Sequence, residues 1–278
     1  MPMSVWNAII LGLVQGIAEF LPISSSGHLA IINNLFDLTT TSDGHMLFDV
    51  LLHLGTLAAI FVCYWQDIVN MFYEVLGFVN VGPLAGARRR YPNARLFVML
   101  VFATLPLLLI LPIHKMIETL YYQNVFIGVA LVLTGCMLFV ADKMKPGTKG
   151  ATNITISDAL IIGLCQCVAT IPGLSRSGTT ITAGIATGLS REFAVKFSFL
   201  MSIPAVLGAN ILSIVDAVKQ GVVLSNVPAY LVGMLAAMLS GIGAISLIKH
   251  IAAKGKFGGF AYYCWVMGVL SIILTMIF

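Results

Sequence analysis

The sequence predicts an all-α, polytopic membrane protein with six transmembrane helices and two re-entrant helical hairpins. Hydrophobic residues make up 59% of the 278 residues and charged residues only 9%, whereas an ordinary soluble domain carries about 25% charged residues. Several apolar runs reach the ~20 residues that a helix needs to cross a bilayer. This composition excludes a soluble globule and a disordered chain. Because the basic residues lie in short clusters between apolar runs, we expect membrane lipids around the protein and no nucleic-acid partner.

Six apolar runs are predicted to span the membrane, and two further runs are interrupted by polar residues. The predicted spans lie near 46–65, 96–113, 124–141, 194–215, 227–248 and 259–278. The run over 5–36 breaks at 24–27, and the run over 158–189 breaks at 172–178. Non-helical backbone at membrane depth is tolerated only where protein or a water-filled cavity covers it. Each interrupted run is therefore predicted to be a hairpin that enters and leaves on one side.

The distribution of basic residues favours this layout. With the first hairpin entering from outside, the inner loops hold twelve Lys and Arg residues, among them the arginines at 88–90, and the outer loops hold two, Lys115 and Lys219. Cytoplasmic loops carry such an excess of positive charge. A hairpin that crossed the bilayer fully would swap the sides of all later loops, so the bias requires both hairpins to be re-entrant.

The two interrupted runs resemble each other. At a constant offset of 151 residues, nine positions between 8 and 27 are identical, including Gln15 with Gln166 and the pattern Ser-x-Ser-Gly at 24–27 with that at 175–178. Each half then holds one hairpin and three spans, and because three is odd, the second half starts from the opposite side. We predict a single membrane domain over 1–278, made of two inverted repeats at about 1–150 and 151–278, whose broken segments meet near the bilayer midplane.

The two breaks have the features of an anion site. A helix that begins at a polar break has unpaired N–H groups and about half a positive charge there, and Ser24 and Ser175 are predicted N-caps. Arg176 adds a full charge and a planar fork of donors suited to phosphate oxygens. Each hydroxyl is either a cap or a ligand. The side chains predicted to bind the anion are those of Gln15, Ser24, Ser26, Ser175, Ser177 and Thr180.

Groups suited to catalysis stand beside the first break. Glu19 is the only acid in residues 1–36, and Ser25 and His28 follow it. An acid, a serine and a histidine are the groups that base-assisted attack on phosphorus requires. Together with Arg176, these three residues are the predicted catalytic groups.

Other polar residues in the apolar runs have two interpretations. Gln15 shares a helical face with Glu19 and can act as neither acid nor base. It either orients Glu19, a water or a cation, or holds helices together, and helix contact is an equal alternative for Gln166. Asp49 and His53 share a face of the segment 46–65. They either support the residues of the site or, as the favoured interpretation, are hydrogen-bonded polar residues near the membrane interface.

The motifs resemble those of the undecaprenyl-diphosphate phosphatase family, also called bacitracin-resistance proteins. The resemblance rests on QGIAEFLPISSSGH at 15–28 and PGLSRSGTT at 172–180, and it extends to length and segment order over the whole chain. It implies hydrolysis of undecaprenyl diphosphate to undecaprenyl phosphate and inorganic phosphate. It also implies recycling of the lipid carrier of peptidoglycan synthesis, bacitracin resistance, a bacterial inner membrane location and a site open to the outside. The family's functional positions correspond to Glu19, Ser25, His28, Ser175, Arg176 and Thr180.

A mechanistic hypothesis combines these residues. Arg176, the hydroxyls and the two half-helix N-termini hold the diphosphate and stabilise its developing charge. Ser25, or a water in its place, attacks the terminal phosphorus, and His28 takes or returns the proton. Glu19 orients His28 or holds a divalent cation such as Mg²⁺ or Ca²⁺. No organic cofactor is expected.

Alternative functions use the same anion site. A lipid-phosphate flippase or secondary transporter would also have inverted repeats with broken helices, but transport needs no nucleophile. A receptor without chemistry is disfavoured, because only function justifies burying Arg176 and Glu19. The oligomeric state is open, with a homodimer as one alternative.

Overall fold

The computed structural model describes residues 3–36, 46–78, 92–220 and 224–277, and these ranges are helical apart from turns and one isolated bridge between Lys149 and Leu189. The predicted all-α, polytopic membrane fold is confirmed. The α-helices of the described ranges are α1 Val5–Phe20, α2 Ser25–Phe36, α3 Met46–Cys63, α4 Trp65–Phe78, α5 Pro92–Thr104, α6 His114–Glu118, α7 Asn124–Lys143, α8 Ile156–Val168, α9 Arg176–Ala186, α10 Arg191–Gln220, α11 Val227–Lys254 and α12 Gly258–Ile277.

Five helical stretches of the described ranges are long and apolar enough to cross a membrane. They are Pro92–Ile117, Asn124–Lys143, Arg191–Ile211, Val227–Lys254 and Gly258–Ile277. A sixth is counted only if α3 and α4, which meet at a bend of 78°, form one span. The number of crossings, predicted as six, is thus five or six by length and composition. The helix α4, which follows the bend at Tyr64, was not predicted from the sequence.

Prolines make the segment after α5 irregular. The predicted span 96–113 begins as α5 and continues as the 3₁₀ turns Leu105–Leu109 and Leu111–Ile113, each with a proline in its first turn. Pro106 and Pro112 lack an N–H, and each ring clashes with the preceding turn, so the α-helical ladder cannot continue through them. The result is a short, irregular apolar wall rather than a straight helix.

The start of α8 and the end of α9, which are the two ends of the second hairpin, are joined through Lys149. Lys149 Nζ bonds both carboxylate oxygens of Asp158, near the start of α8, at 2.9 Å. The backbone of Lys149 bonds Gly188 and Ser190, which follow the end of α9, at 3.0 and 2.9 Å. The pair α8 and α9 therefore enters and leaves on one side, as a re-entrant hairpin does.

The first helix of each hairpin approaches a neighbouring helix at a glycine. A Cβ at Gly12 in α1 would overlap the carbonyl oxygen of Gly233 in α11, and a Cβ at Gly163 in α8 would overlap that of Ala103 in α5. Gly12 and Gly163 are separated by the offset of 151 residues, so corresponding positions make corresponding contacts. The inverted orientation of the halves stays a prediction, and the arginines at 88–90 lie outside the described residues.

Candidate active site

The two polar breaks lie against each other, as the sequence predicts. Ser24 Oγ donates a hydrogen bond to the Leu174 carbonyl at 3.5 Å, and Ser177 Oγ donates one to the Leu21 carbonyl at 3.2 Å. A Cβ on Gly27 would lie 3.2 Å from the Cα of Gly173. The backbones of the two breaks are thus in close contact, and the N-termini of α2 and α9 lie next to each other.

Serine N-caps begin both of these helices. Ser24 Oγ accepts from the N–H of Gly27 at 3.2 Å, and Ser175 Oγ accepts from the N–H of Gly178 at 3.0 Å. Ser24 has φ +70°, a left-handed conformation that is uncommon outside glycine. The second break is held by Thr134 of α7, whose Oγ1 accepts from the Ser175 N–H at 3.1 Å. This threonine was not singled out in the sequence.

An ion pair joins the two hairpins. Arg176 Nη2 lies 2.7 Å from Glu19 Oε1, and the Glu19 side chain is 7% exposed. The other carboxylate oxygen, Oε2, accepts from Ser25 Oγ at 2.7 Å. The carboxylate therefore holds the guanidinium on one oxygen and a serine hydroxyl on the other. A serine hydrogen-bonded to a carboxylate within this distance has the geometry of a nucleophile beside its base.

Gln15 extends this network to His53. Its Nε2 donates to Glu19 Oε2 at 3.1 Å and to His53 Nδ1 at 3.1 Å. Gln15 thus orients Glu19, one of the two roles predicted for it. His53 contacts the amide that bonds the buried acid and lines the cavity of the site, which agrees with the supporting role and not with the favoured position near the membrane interface. The only signal in the sequence was a histidine within an apolar span.

His28 faces a different set of partners. Its Nδ1 bonds the Ser24 carbonyl oxygen at 2.8 Å, and its Nε2 bonds Tyr263 Oη at 2.7 Å. A carbonyl oxygen only accepts, so Nδ1 carries a proton, and in the neutral ring Nε2 accepts from the Tyr263 hydroxyl. Both ring nitrogens are therefore occupied. The contacts link His28 to the conformation of Ser24, and its predicted role in proton transfer stays a prediction.

Thr180 supports the turn that carries Arg176. Its Oγ1 donates to the Arg176 carbonyl oxygen at 2.8 Å and lies 2.6 Å from Ser198 Oγ of α10. Ser177 and Ser175 contact each other through their hydroxyls at 3.2 Å, as Ser24 and Ser26 do at 3.3 Å. The serines of each break therefore contact one another as a cluster, whereas Thr180 bonds the backbone of the first turn of α9.

A cavity of about 630 Å³ opens where the breaks meet. The charged and hydroxyl groups on its wall include Glu19, Ser24, Ser25, Ser26, Ser175, Arg176 and Ser177 of the two breaks, together with Thr104, Tyr121, Thr170 and Ser213. Apolar residues of the irregular segment after α5, such as Leu107 and Leu111, and residues of α10 around Val206 line the rest. Among the described residues, Gln15, His28 and Thr180 are not part of this wall. The cavity thus combines one charged end with an apolar wall, which suits a lipid with an anionic head.

The site offers a divalent cation few ligands. The described residues contain no group of three or more His, Cys, Asp and Glu side chains arranged to hold a metal ion. Glu19 is the one described carboxylate on the cavity wall, and it already accepts from Arg176, Ser25 and Gln15. Magnesium sites of phosphate enzymes often use one or two carboxylates plus substrate oxygens. Any cation here would need the substrate to complete its coordination.

Comparisons with known proteins identify similar chains. The family model described as "Bacitracin resistance protein BacA" matches residues 8–270. A protein of Carboxydothermus hydrogenoformans named undecaprenyl-diphosphatase is 37% identical over 275 residues, which cover 98% of both chains. Proteins of the same name from Methanosphaera stadtmanae and Pelotomaculum thermopropionicum are 35% and 39% identical, covering 99% and 98% of this chain and 99% and 97% of theirs.

Proposed function

The chain belongs to the bacitracin resistance protein BacA family, and on this premise we propose that it hydrolyses undecaprenyl diphosphate to undecaprenyl phosphate and inorganic phosphate. This reaction recycles the lipid carrier of cell-wall synthesis and confers resistance to bacitracin. The observation that carries the proposal is the contact of one carboxylate, Glu19, with both Arg176 and Ser25 at 2.7 Å. A buried base, a nucleophile and a phosphate-binding cation share one cavity.

The first chemical step uses Ser25 and Glu19. Ser25 Oγ attacks the terminal phosphorus while Glu19 Oε2 takes its proton. The bond from this phosphorus to the bridging oxygen breaks, and the lipid phosphate leaves with the proton that Glu19 passes on. Water then attacks the phosphoserine, Glu19 moves a proton from this water to Ser25 Oγ, and inorganic phosphate is released.

Arg176 couples substrate binding to this chemistry. The diphosphate competes with Glu19 for the guanidinium, which binds phosphate oxygens bidentately. When Arg176 turns to the phosphate, Glu19 Oε1 is released from the guanidinium, while Oε2 keeps its hydrogen bond from Ser25 Oγ. The same guanidinium and the N-termini of α2 and α9 then stabilise charge on the transferring phosphoryl group.

Phosphate release in detergent micelles tests the proposed activity. The purified full chain is mixed with a long-chain polyprenyl diphosphate, and inorganic phosphate is measured over time. We expect multiple turnovers by the wild type and by Ser246→Ala, a change at an exposed serine of α11. A flippase, which no observation here favours, moves lipid between two compartments and would release no phosphate in micelles. Absence of phosphate release by the folded wild type would refute the proposal.

A divalent cation and the cellular setting complete the proposal. Glu19 would hold Mg²⁺ or Ca²⁺ together with the bound diphosphate, so removal of cations by a chelator should slow phosphate release and either ion should restore it.

The chain acts in the bacterial inner membrane, surrounded by lipids, with its cavity reached from outside. Membrane fractionation tests this location, and the mass of the detergent-solubilised protein tests the homodimer.

A further inference from the structure

Two buried amides on the cavity wall have polar atoms without a hydrogen-bond partner among the described residues. Gln166 of α8 is 1% exposed and Asn210 of α10 is 5% exposed. Among the described residues, neither amide atom of Gln166 has a partner, and Asn210 Nδ2 has none. Both residues line the cavity. Because buried polar groups are nearly always hydrogen-bonded, unpaired amides on a cavity wall indicate groups that serve a ligand.

Gln166 is the counterpart of Gln15 in the second hairpin. In the first half, Gln15 Nε2 bonds Glu19 and His53. The offset of 151 residues maps those two partners onto Thr170 and Pro204. Thr170 donates its hydroxyl to the Cys167 carbonyl oxygen at 2.7 Å, and proline has no polar side-chain atom. The second hairpin therefore keeps the amide, as Gln166, but has no acidic residue at the position that corresponds to Glu19.

Gln166 lines the cavity from α8. Its helix, α8, leads into the break that carries Arg176 and also packs against the 3₁₀ turn Leu105–Leu109. Leu107 and Leu108 of that turn line the apolar part of the cavity. A lipid diphosphate with its terminal phosphate at Arg176 and Ser25 would place its lipid-linked phosphate next, before the apolar tail begins.

We propose that Gln166, assisted by Asn210, is a neutral hydrogen-bonding subsite for the lipid-linked phosphate. The inference rests on the proposed function and adds a specificity residue to it. The amide N–H groups donate to the phosphate that stays on the lipid, whereas Arg176 binds the phosphate that is transferred. Neutral donors suit this position, because a second cation would retain the lipid monophosphate product.

A purely structural role for Gln166 predicts the opposite effect on stability. If the amide held helices together, replacing it by leucine would destabilise the protein. If it serves a ligand, leucine removes an unpaired buried polar group from the free protein. The thermal unfolding midpoint of Gln166→Leu should then be unchanged or higher, while substrate binding weakens.

Inhibition kinetics separate the two phosphate positions. For Gln166→Leu in micelles, we expect the KM for polyprenyl diphosphate and the inhibition constant of a polyprenyl monophosphate to rise about tenfold, as for the loss of one hydrogen bond to a charged group. The inhibition constant of inorganic phosphate, which needs only the Arg176 position, should stay within about twofold, well below that expected loss. Gln123→Leu, at an exposed glutamine before α7, is the matched control and should change none of these constants.

Two results for Gln166→Leu would overturn the proposed subsite. An unchanged inhibition constant for the lipid monophosphate in folded Gln166→Leu would overturn it, as would equal losses for both inhibitors together with a lower unfolding midpoint. If Gln166→Leu does not fold, Asn210→Leu is measured in the same way, with a smaller rise expected and no change as the refuting result. Because the wild type must hydrolyse the diphosphate in every series, a failure of the proposed function is seen separately.

Discussion

Arg176 and Glu19 form an ion pair of 2.7 Å across 157 positions of the chain, and this pair joins the two polar breaks into one site. The same carboxylate accepts the Ser25 hydroxyl at 2.7 Å. One acidic residue of the first hairpin therefore connects the cation of the second hairpin to a serine of its own.

Loss of the carboxylate should separate catalysis from anion binding. In Glu19→Gln the base is removed, and we expect kcat to fall by about 10²–10⁴, the usual contribution of a general base. Because Arg176 no longer pairs with a carboxylate, phosphate should bind at least as tightly as in the wild type. The rate of phosphate release measures kcat, and stabilisation of the protein against heat by added phosphate measures the affinity for phosphate. Weaker phosphate binding in this variant would show that Glu19 does not compete for Arg176.

Ser25 should carry the phosphoryl group during turnover. We expect Ser25→Ala to lose phosphate release while keeping its unfolding midpoint, because the cap of α2 is Ser24 and not Ser25. Acid quenching of the wild type with a diphosphate labelled at its terminal phosphate should leave label on Ser25, read by peptide mass spectrometry. Substantial activity of Ser25→Ala would instead assign the attack to water, with Glu19 as its base.

The contacts of His28 predict that asparagine can replace it in part. In His28→Asn, the side-chain amide would keep a second donor for the carbonyl oxygen of Ser24, which has a left-handed backbone, whereas alanine would leave that oxygen only the backbone N–H of position 28 at 3.2 Å. We therefore expect His28→Asn to retain more phosphate release than His28→Ala. Tyr263→Phe, which removes the donor to Nε2, should cost about two- to tenfold in kcat, the range of one neutral hydrogen bond. Equal inactivity of the two His28 variants would favour proton transfer by the imidazole.

Close helix contacts at Gly12 and Gly163 should make a larger residue at either position destabilising. A methyl group at Gly12 would overlap the backbone of Gly233, and the same holds for Gly163 against Ala103. We expect Gly12→Ala or Gly163→Ala to destabilise the protein by about 1–3 kcal/mol, the usual cost of overpacking. Unfolding in detergent measures this, with Gly243→Ala as the control, because a Cβ at Gly243 would have no neighbour within 4 Å. An equal effect at all three positions would contradict the described packing.

The sequence predicts most of the long helices, the two breaks and the polar residues that meet there, because these depend on local patterns. Apolar runs indicate the long helices, and the serine caps at Ser24 and Ser175 follow from residue type alone. The repeat of the Ser-x-Ser-Gly pattern indicates that distant segments share a site.

Side-chain partners could not be predicted in the same way. Nothing in the local sequence shows that Glu19 turns to Ser25 and Arg176 while His28 turns to Tyr263, since these choices depend on how α12 and the second hairpin pack against the first. His53 enters the site for the same reason. The bend at Tyr64 and the helix α4 are also not predicted, because the sequence predicts one span over 46–65 followed by a loop.

Glu19 and Arg176 act as one unit across the two hairpins, and a double-mutant cycle on phosphate release is the sharpest test of this coupling. Glu19→Gln, Arg176→Lys and the double variant are compared with the wild type at saturating polyprenyl diphosphate. Groups that act together lose activity non-additively, so we predict that the double variant is about as slow as the slower single variant. Independent losses that multiply in the double variant would show that the two residues do not form one catalytic site.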